Sequence, residues 1–426
     1  MNAKTLYLLV AVAIIAVVGA VALRMSHSPR VESDEQAKPL LPGLAGHVND
    51  VSAITVTGAG GKAIATMKRA GDGWHIVERS DYPADVTEIR GLLVKLDRAT
   101  LLEAKTSNPK HYADIAVDDV TGKDAKGVLV TLTGVAPPNK VIVGNYSGPS
   151  QGTFVRRDGE AQSWLASGDL NVPKSLPEWE KRDIADIPAA KIASVTLVAP
   201  DGKTLRMHKP AADAANFVVD DVPKGRTVNN GTASTIATTF SGLRVDDVES
   251  AKDKPAPAQA AKGEFETFDG VKIAAVAWNE GGKDYVQFAA SLDAPAAEKQ
   301  IADDQAKAKA DYDKVVASHK SSTNDKPSSG DAKAAEPAKP RAVSDPESDK
   351  KARLADLDKD IASLNASFSG WTFVLPGYVY GNLTKTMNDV LMPLPAKKPE
   401  VDAAKSASSS TGSSKLPIKA KEAPST

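Results

Sequence analysis

The residues able to do chemistry are few and scattered. The histidines are His27, His47, His75, His111, His208 and His319, and no two stand in the H-x-x-x-H or H-E-x-x-H spacing that places two zinc ligands on adjacent helical turns. His75 beside Trp74, and His208 at the end of an alternating run, read as strand histidines. Acidic doublets at Asp118-Asp119, Asp220-Asp221 and Asp246-Asp247 supply adjacent carboxylates. None has the EF-hand pattern, so they read as solvated turn carboxylates rather than a calcium site or an acid/base pair. Gly58-Ala59-Gly60-Gly61 runs into a strand pattern, whereas a phosphate-cradling loop opens a helix, so it reads as a hairpin turn. There is no G-x-S-x-G elbow and no nucleotide fingerprint, and the chain has no cysteine, which excludes disulfides, thiolate nucleophiles and Cys-ligated metal. No catalytic, cofactor-binding or metal-ligating residue is assigned, and no cofactor is expected. The remaining mixed cluster, Trp179, Lys181, Arg182 and Asp183, puts an aromatic among both charges and reads as a latch between two halves of the chain.

The elements around these residues repeat. Val51-Ser52-Ala53-Ile54-Thr55-Val56 alternates with period two, turns at the glycines, and resumes through residues 63–68, with a third strand at residues 74–77. Val86, Ile89, Leu92, Leu93 and Leu96 share one helical face, with Asp85 as its cap. Strands follow at residues 127–133, 140–143 and 153–156. Residues 192–197, 201–207 and 217–219 then restate the meander, a helix over 230–243 restates the helix, and further strands follow at 244–248, 263–268, 271–278 and 284–288. This predicts an α+β fold: two tandem copies of a mainly antiparallel sheet-plus-helix module, over 45–187 and 188–393.

The second copy is interrupted over 295–367 by an Ala-, Lys- and Asp-rich stretch. Ile301, Ala308, Tyr312 and Val315, then Leu354, Leu357, Ile361 and Leu364, hold heptad-like spacing, which predicts a helical hairpin with a polar, disordered tip at 321–346. Gln305 in the first seam leaves a solvated, frayed arm as the other reading. Residues 394–426, rich in Lys, Ala, Ser and Pro without periodicity, read as a disordered tail.

Residues 6–23 are apolar and uncharged between Lys4 and Arg24. Such a helix is about 27 Å long, close to the hydrocarbon thickness of a bilayer. Residues 1–25 therefore read as a cytoplasmic tip and single transmembrane anchor at a bacterial inner membrane, 26–44 as a tether, and the rest as periplasmic. A cleaved signal peptide, with Ala20-Val21-Ala22 as the cleavage site, is the rival and exports the same residues. With 53 Lys and Arg against 54 Asp and Glu, no net field draws the chain to nucleic acid.

Longer stretches carry a resemblance. Residues 108–120 (NPKHYADIAVDDV), 153–157 with 161–165, 176–187 (LPEWEKRDIADI) and 381–387 (GNLTKTM) resemble the bacterial domain of unknown function 4340 family, over roughly 45–290 and 368–393. The resemblance implies an N-terminal span before repeated α+β units, and companionship with gliding-motility-type ABC transporter components. The expected function is thus a non-enzymatic, membrane-anchored periplasmic accessory protein with ABC permease, ATPase or auxiliary subunits as partners. The alternative is a binding module for cell-wall polysaccharide or peptidoglycan, using Trp74, Trp164, Trp179 and Trp371. An unfamiliar carboxylate hydrolase would require two buried Asp or Glu in a deep cleft.

Overall fold

The computed structural model describes residues 38–71, 73–324 and 337–393. The apolar stretch 6–23 and the tail 394–426 lie outside the described residues. No helix among the described residues is long and apolar enough to cross a membrane.

The fold is α+β, built on two large antiparallel sheets. The first half runs β1 (Ala53–Thr57), β2 (Ala63–Ala70), β3 (Gly73–Ile76), β4 (Tyr82–Pro83), helix α1 (Val86–Arg98), β5 (Leu101–Ala104), β6 (Val128–Thr133), β7 (Lys140–Ser147), β8 (Gly152–Arg157) and β9 (Ser163–Ser167). A linker strand, β10 (Asp183–Ala185), leads to β11 (Ile192–Val198), β12 (Thr204–His208), β13 (Val218–Val219), α2 (Asn230–Ala237), β14 (Leu243–Arg244), β15 (Asp247–Ser250), β16 (Ala261–Thr267), β17 (Val271–Glu280) and β18 (Lys283–Leu292). Helices α3 (Ala294–Asn324), α4 (Arg341–Ser344) and α5 (Pro346–Phe368) precede β19 (Trp371–Val374) and α6 (Gly377–Leu383).

The strand orders are β4-β3-β2-β1-β6-β7-β8-β9-β5 and β13-β12-β11-β16-β17-β18-β19-β15. Leaving out β4, they coincide strand for strand. In each half a meander leads through a helix to the far edge, then a second meander starts beside the first strand and ends against that far edge.

Alternation sets which face is buried. In β1, Ile54 and Val56 point inward while their neighbours are half-buried, and their partners across β2 and β6 are Met67 with Leu132 and Ala65 with Val130. Helix α1 closes this face with Ile89, Leu92, Leu93 and Leu96, and the Asp85 carboxylate accepts the backbone N–H groups of Thr87 and Glu88. A buried Leu or Ile contributes about 1.5–3 kcal/mol, so these four residues hold the helix against its sheet. Val86, expected on the same face, is 41% exposed because it occupies the first helical position, before the helix reaches the sheet. In the second core, Ala233, Ile236 and Ala237 of α2 meet Phe240, which packs edge-on against Phe265.

Several expectations are corrected. The helix expected over 230–243 stops at Ala237, and a 3-10 turn, Thr238–Phe240, drops Phe240 into the core before β14 begins. The strand expected at 244–248 divides into β14 and β15. The tether does not run to residue 44: Leu40, Leu41 and Leu44 are fully buried in the first core, and Arg157 donates to the carbonyls of Pro39 and Leu40. Part of the expected polar tip is helical, at Ser321 to Asn324 in α3 and in α4, while residues 325–336 lie outside the described ones.

The insertion is a helical arm whose two helices are held differently. Leu357, Ile361, Leu364 and Phe368 of α5 pack on the second core. Among its described side chains, helix α3 buries only those at its base, Ala297 and Ile301. That base begins beside Gly270, whose φ of +85° suits a residue without a Cβ; a Cβ there would lie 2.8 Å from the backbone nitrogen of Ala297. Farther out the seam is polar. Gln305 is pinned to Asp349 at 3.0 Å rather than frayed, and Arg353 pairs with Asp304 at 2.8 Å. Val315, expected in the seam, is 52% exposed.

Candidate functional site: the joint between the sheets

The linker is one extended segment that pairs first with one sheet and then with the other half. Asp85 donates its backbone N–H to the Trp179 carbonyl, Lys181 donates to the Pro83 carbonyl, and Ala84 and Glu180 form an isolated antiparallel bridge. Three residues on, β10 pairs with β14. The linker therefore extends the β4 edge of the first sheet and enters the second half as a strand, which removes the freedom an unpaired linker would have.

Side chains cross the joint in both directions. Trp179, fully buried, belongs to the first core. Tyr82 leaves β4 of the first sheet and enters the second core, edge-on to Trp371 at 4.9 Å and to Phe373 at 6.4 Å, while its hydroxyl donates to the Lys181 carbonyl at 2.7 Å. Burial, reinforced by the nearby Glu180 charge, raises the Tyr82 phenol well above its ordinary value. Tyr82→Phe is expected to cost about 1 kcal/mol, the net value of one neutral hydrogen bond, because the ring contacts survive. Urea denaturation followed by fluorescence checks this, and a loss above about 3 kcal/mol would mean that the hydroxyl holds more than this one bond.

Around these aromatics lies a charge network. Arg79, in the 3-10 turn after β3, donates from Nε to Glu180 Oε1 at 2.6 Å and from Nη2 to Asp247 Oδ1 of β15 at 2.5 Å. One guanidinium thus clamps the first half, the linker and the second half together. Arg182 donates from Nε to the Val245 carbonyl at 2.7 Å and from Nη2 to Asp246 at 3.1 Å. Lys283 of β18 adds a positive charge 3.6 Å from Asp247.

Glu180 is the anomalous member. Its side chain is fully buried, and Oε2 has no hydrogen-bond partner among the described residues. Burial pushes its carboxyl up to about 7. The Arg79 hydrogen bond and charge pull it down, Asp247 pushes it further up, and Arg182 pulls it down. The upward direction stands despite the short Arg79 contact, because Arg79 is itself partly hydrated and shared with Asp247.

This arrangement fastens the two halves to the linker. The two carboxylates on Arg79 face a side chain that cannot act as an acid near neutral pH, and the groups are packed among core residues. No group of three or more His, Asp or Glu among the described residues is arranged to hold a metal ion.

The sequence latch and the joint coincide in Trp179, Arg182 and β10, and Asp247 comes from one of the acidic doublets, while Arg79, Tyr82 and Glu180 are not among the candidates read from the sequence. Asp246-Asp247 is not a solvated turn but half of the ionic contact. Asp119 pairs with Arg156 at 2.7 Å, and Asp220 lies 3.2 Å from His208. His75 sits in β3, with its ring Nδ1 2.9 Å from the Asp81 carbonyl. Gly60 and Gly61 hold φ of +71° and +69° in the turn between β1 and β2. Trp74 and Trp179 are buried, and Trp164 and Trp371 are half-buried against the cores.

Residues 74–262 match the model of a domain of unknown function, DUF4340. The matched span is narrower than the resemblance read from the sequence. It begins in β3 and ends in β16, so it contains Arg79, Tyr82, Glu180 and Asp247 and excludes the helical arm. No curated protein and no solved structure matches the chain.

Proposed function

Over residues 74–262 the chain belongs to the DUF4340 family, and from that premise we propose that it is a non-enzymatic accessory protein, a scaffold that holds partner proteins at a bacterial inner membrane. The observation that carries this reading is the arm. A helix the length of α3 (Ala294–Asn324) extends about 46 Å, and of its side chains among the described residues only Ala297 and Ile301, at its base, are buried. The fold does not need so much exposed helix, whereas a partner does. The two halves, read as copies of one module because their strand orders coincide, supply the base on which the arm stands. Residues 6–23 supply the anchor, and the partners are the permease, ATPase or auxiliary subunits of an ABC-type transport or gliding-motility-like complex.

The test is purification of the tagged full-length protein from its own host in mild detergent, with crosslinking and mass spectrometry. A variant in which a short Gly-Ser turn replaces residues 309–341 is run alongside, keeping the buried base and α5. Transporter subunits recovered with the full-length chain and lost with the shortened arm are the expected result. A monomer without membrane partners, or partners indifferent to the arm, overturns the proposal.

A further inference from the structure

The arm does more than project, because its return helix α5 runs beside β10 and encloses a groove. Two adjoining cavities of about 440 Å³ and 290 Å³ share Asp186, Ser363 and Leu364. The wall on one side is α5 and the other is the linker from Lys181 to Lys191. β10 pairs with β14 alone, so among the described residues its second edge carries no strand. The floor is apolar at Ile184, Val271 and Leu364.

We propose that this groove docks an extended, lysine- or arginine-bearing segment of a partner protein, which adds to the open edge of β10 as a third strand. This deepens the scaffold reading by naming the chemistry of one partner, and it rests on that reading. Three features select such a segment. An unpaired strand edge offers backbone N–H and C=O groups at strand spacing, which an extended peptide satisfies along its length. The floor accepts every second side chain, as a strand's alternation demands. The rim selects the sign of charge. Asp183, Asp186, Asp269 and Asp360 line the groove against Lys181 and Lys191. Lys191 is engaged with Asp269 at 4.0 Å. Asp183 is 80% exposed with Arg244 only at 4.0 Å, Asp186 accepts the Gly242 backbone N–H at 2.8 Å, and Asp360 makes no ion pair among the described residues. A strand carrying ammonium or guanidinium groups meets these carboxylates, and an acidic strand is repelled.

The groove depends on the insertion. At the matching place in the first half, between β8 and β9, residues 158–162 form a short connection and supply no helical wall. The linker wall of the groove lies within the span matched to the family, and the α5 wall lies beyond it.

The test is fluorescence anisotropy on the full-length protein with a fluorescein-labelled peptide of alternating Lys and Val, seven residues long. Two comparison peptides carry Glu in place of Lys, or Pro in place of the central Val, which removes a strand donor. Saturable binding is expected, at least tenfold weaker for both comparison peptides and weakened by salt. Asp360→Lys, at an exposed position, and Ser363→Trp, which fills the groove, are each expected to weaken it at least tenfold with the melting temperature unchanged. Absence of saturable binding, equal binding of the Glu peptide, or variants that bind as the native protein does would overturn the proposal. None of these results alters which proteins the distal arm recovers from cells, so the two proposals fail separately.

Discussion

Replacing Arg79 with methionine is expected to cost about 3–5 kcal/mol of folding stability, the penalty for removing one partner from a buried ion pair. The guanidinium holds Glu180 at 2.6 Å and Asp247 at 2.5 Å. Without it a fully buried carboxyl and a mostly buried one face each other with only Arg182 and Lys283 nearby. The loss should grow from pH 6 to pH 8, since a Glu180 deprived of its partner must keep its proton or remain an uncompensated charge. Adding Glu180→Gln should recover much of the loss, because the orphaned charge is then gone, and a double-mutant cycle by urea denaturation measures the coupling. A single-variant loss below about 1 kcal/mol would show that Arg79 is a surface ion pair of no structural weight.

Glu180→Gln alone should reshape the pH dependence of stability. The folded carboxyl titrates near 7, above its ordinary value of 4.5, so the folded state retains a proton that the unfolded chain has released. The stability this contributes is fully present below about pH 4.5 and is lost as the pH rises to about 7. At 1.36 kcal/mol per pKa unit the swing is about 3 kcal/mol. Across that window, the difference in stability between the Gln variant and the native protein should therefore move in the variant's favour by up to that amount, then level off. A difference that stays flat from pH 4.5 to 8 would show that Glu180 titrates normally and that its burial is relieved on opening too readily to matter.

What could be read from sequence follows the range of the interactions concerned. The face of α1 apart from Val86, its Asp85 cap, the glycine turn before β2 and the restart at Ile192 are local patterns, and each appears where expected. Trp179 through Asp183 stood out because an aromatic among charges interrupts two apolar runs. β4 has two residues and β14 two; such strands exist only because a distant segment pairs with them, and no periodicity fits in two positions. Arg79 resembled any loop cation, since its partners lie 101 and 168 residues away. The same distance hid Asp247, whose doublet looked like a turn until β15 placed it opposite the first half. Val315 failed for a different reason: the heptad spacing was real, but Gln305, Asp304 and Arg353 hold the seam by polar contacts below it, leaving the apolar residue outside.

The two edges of the first sheet have different neighbours. The chain enters beside β5, where Leu101 donates to the Lys38 carbonyl and Pro39 bridges to Thr100, and the second half is attached beside β4 at the other end of the strand order. Tension between the N-terminal side and the arm would therefore load the first sheet across its strands, along the inter-strand hydrogen bonds, which open one ladder after another rather than resisting together as they do in shear. Under pull the first sheet would yield by unzipping from an edge, and Arg79, placed where the load passes to the second half, would be among the first bonds to feel it.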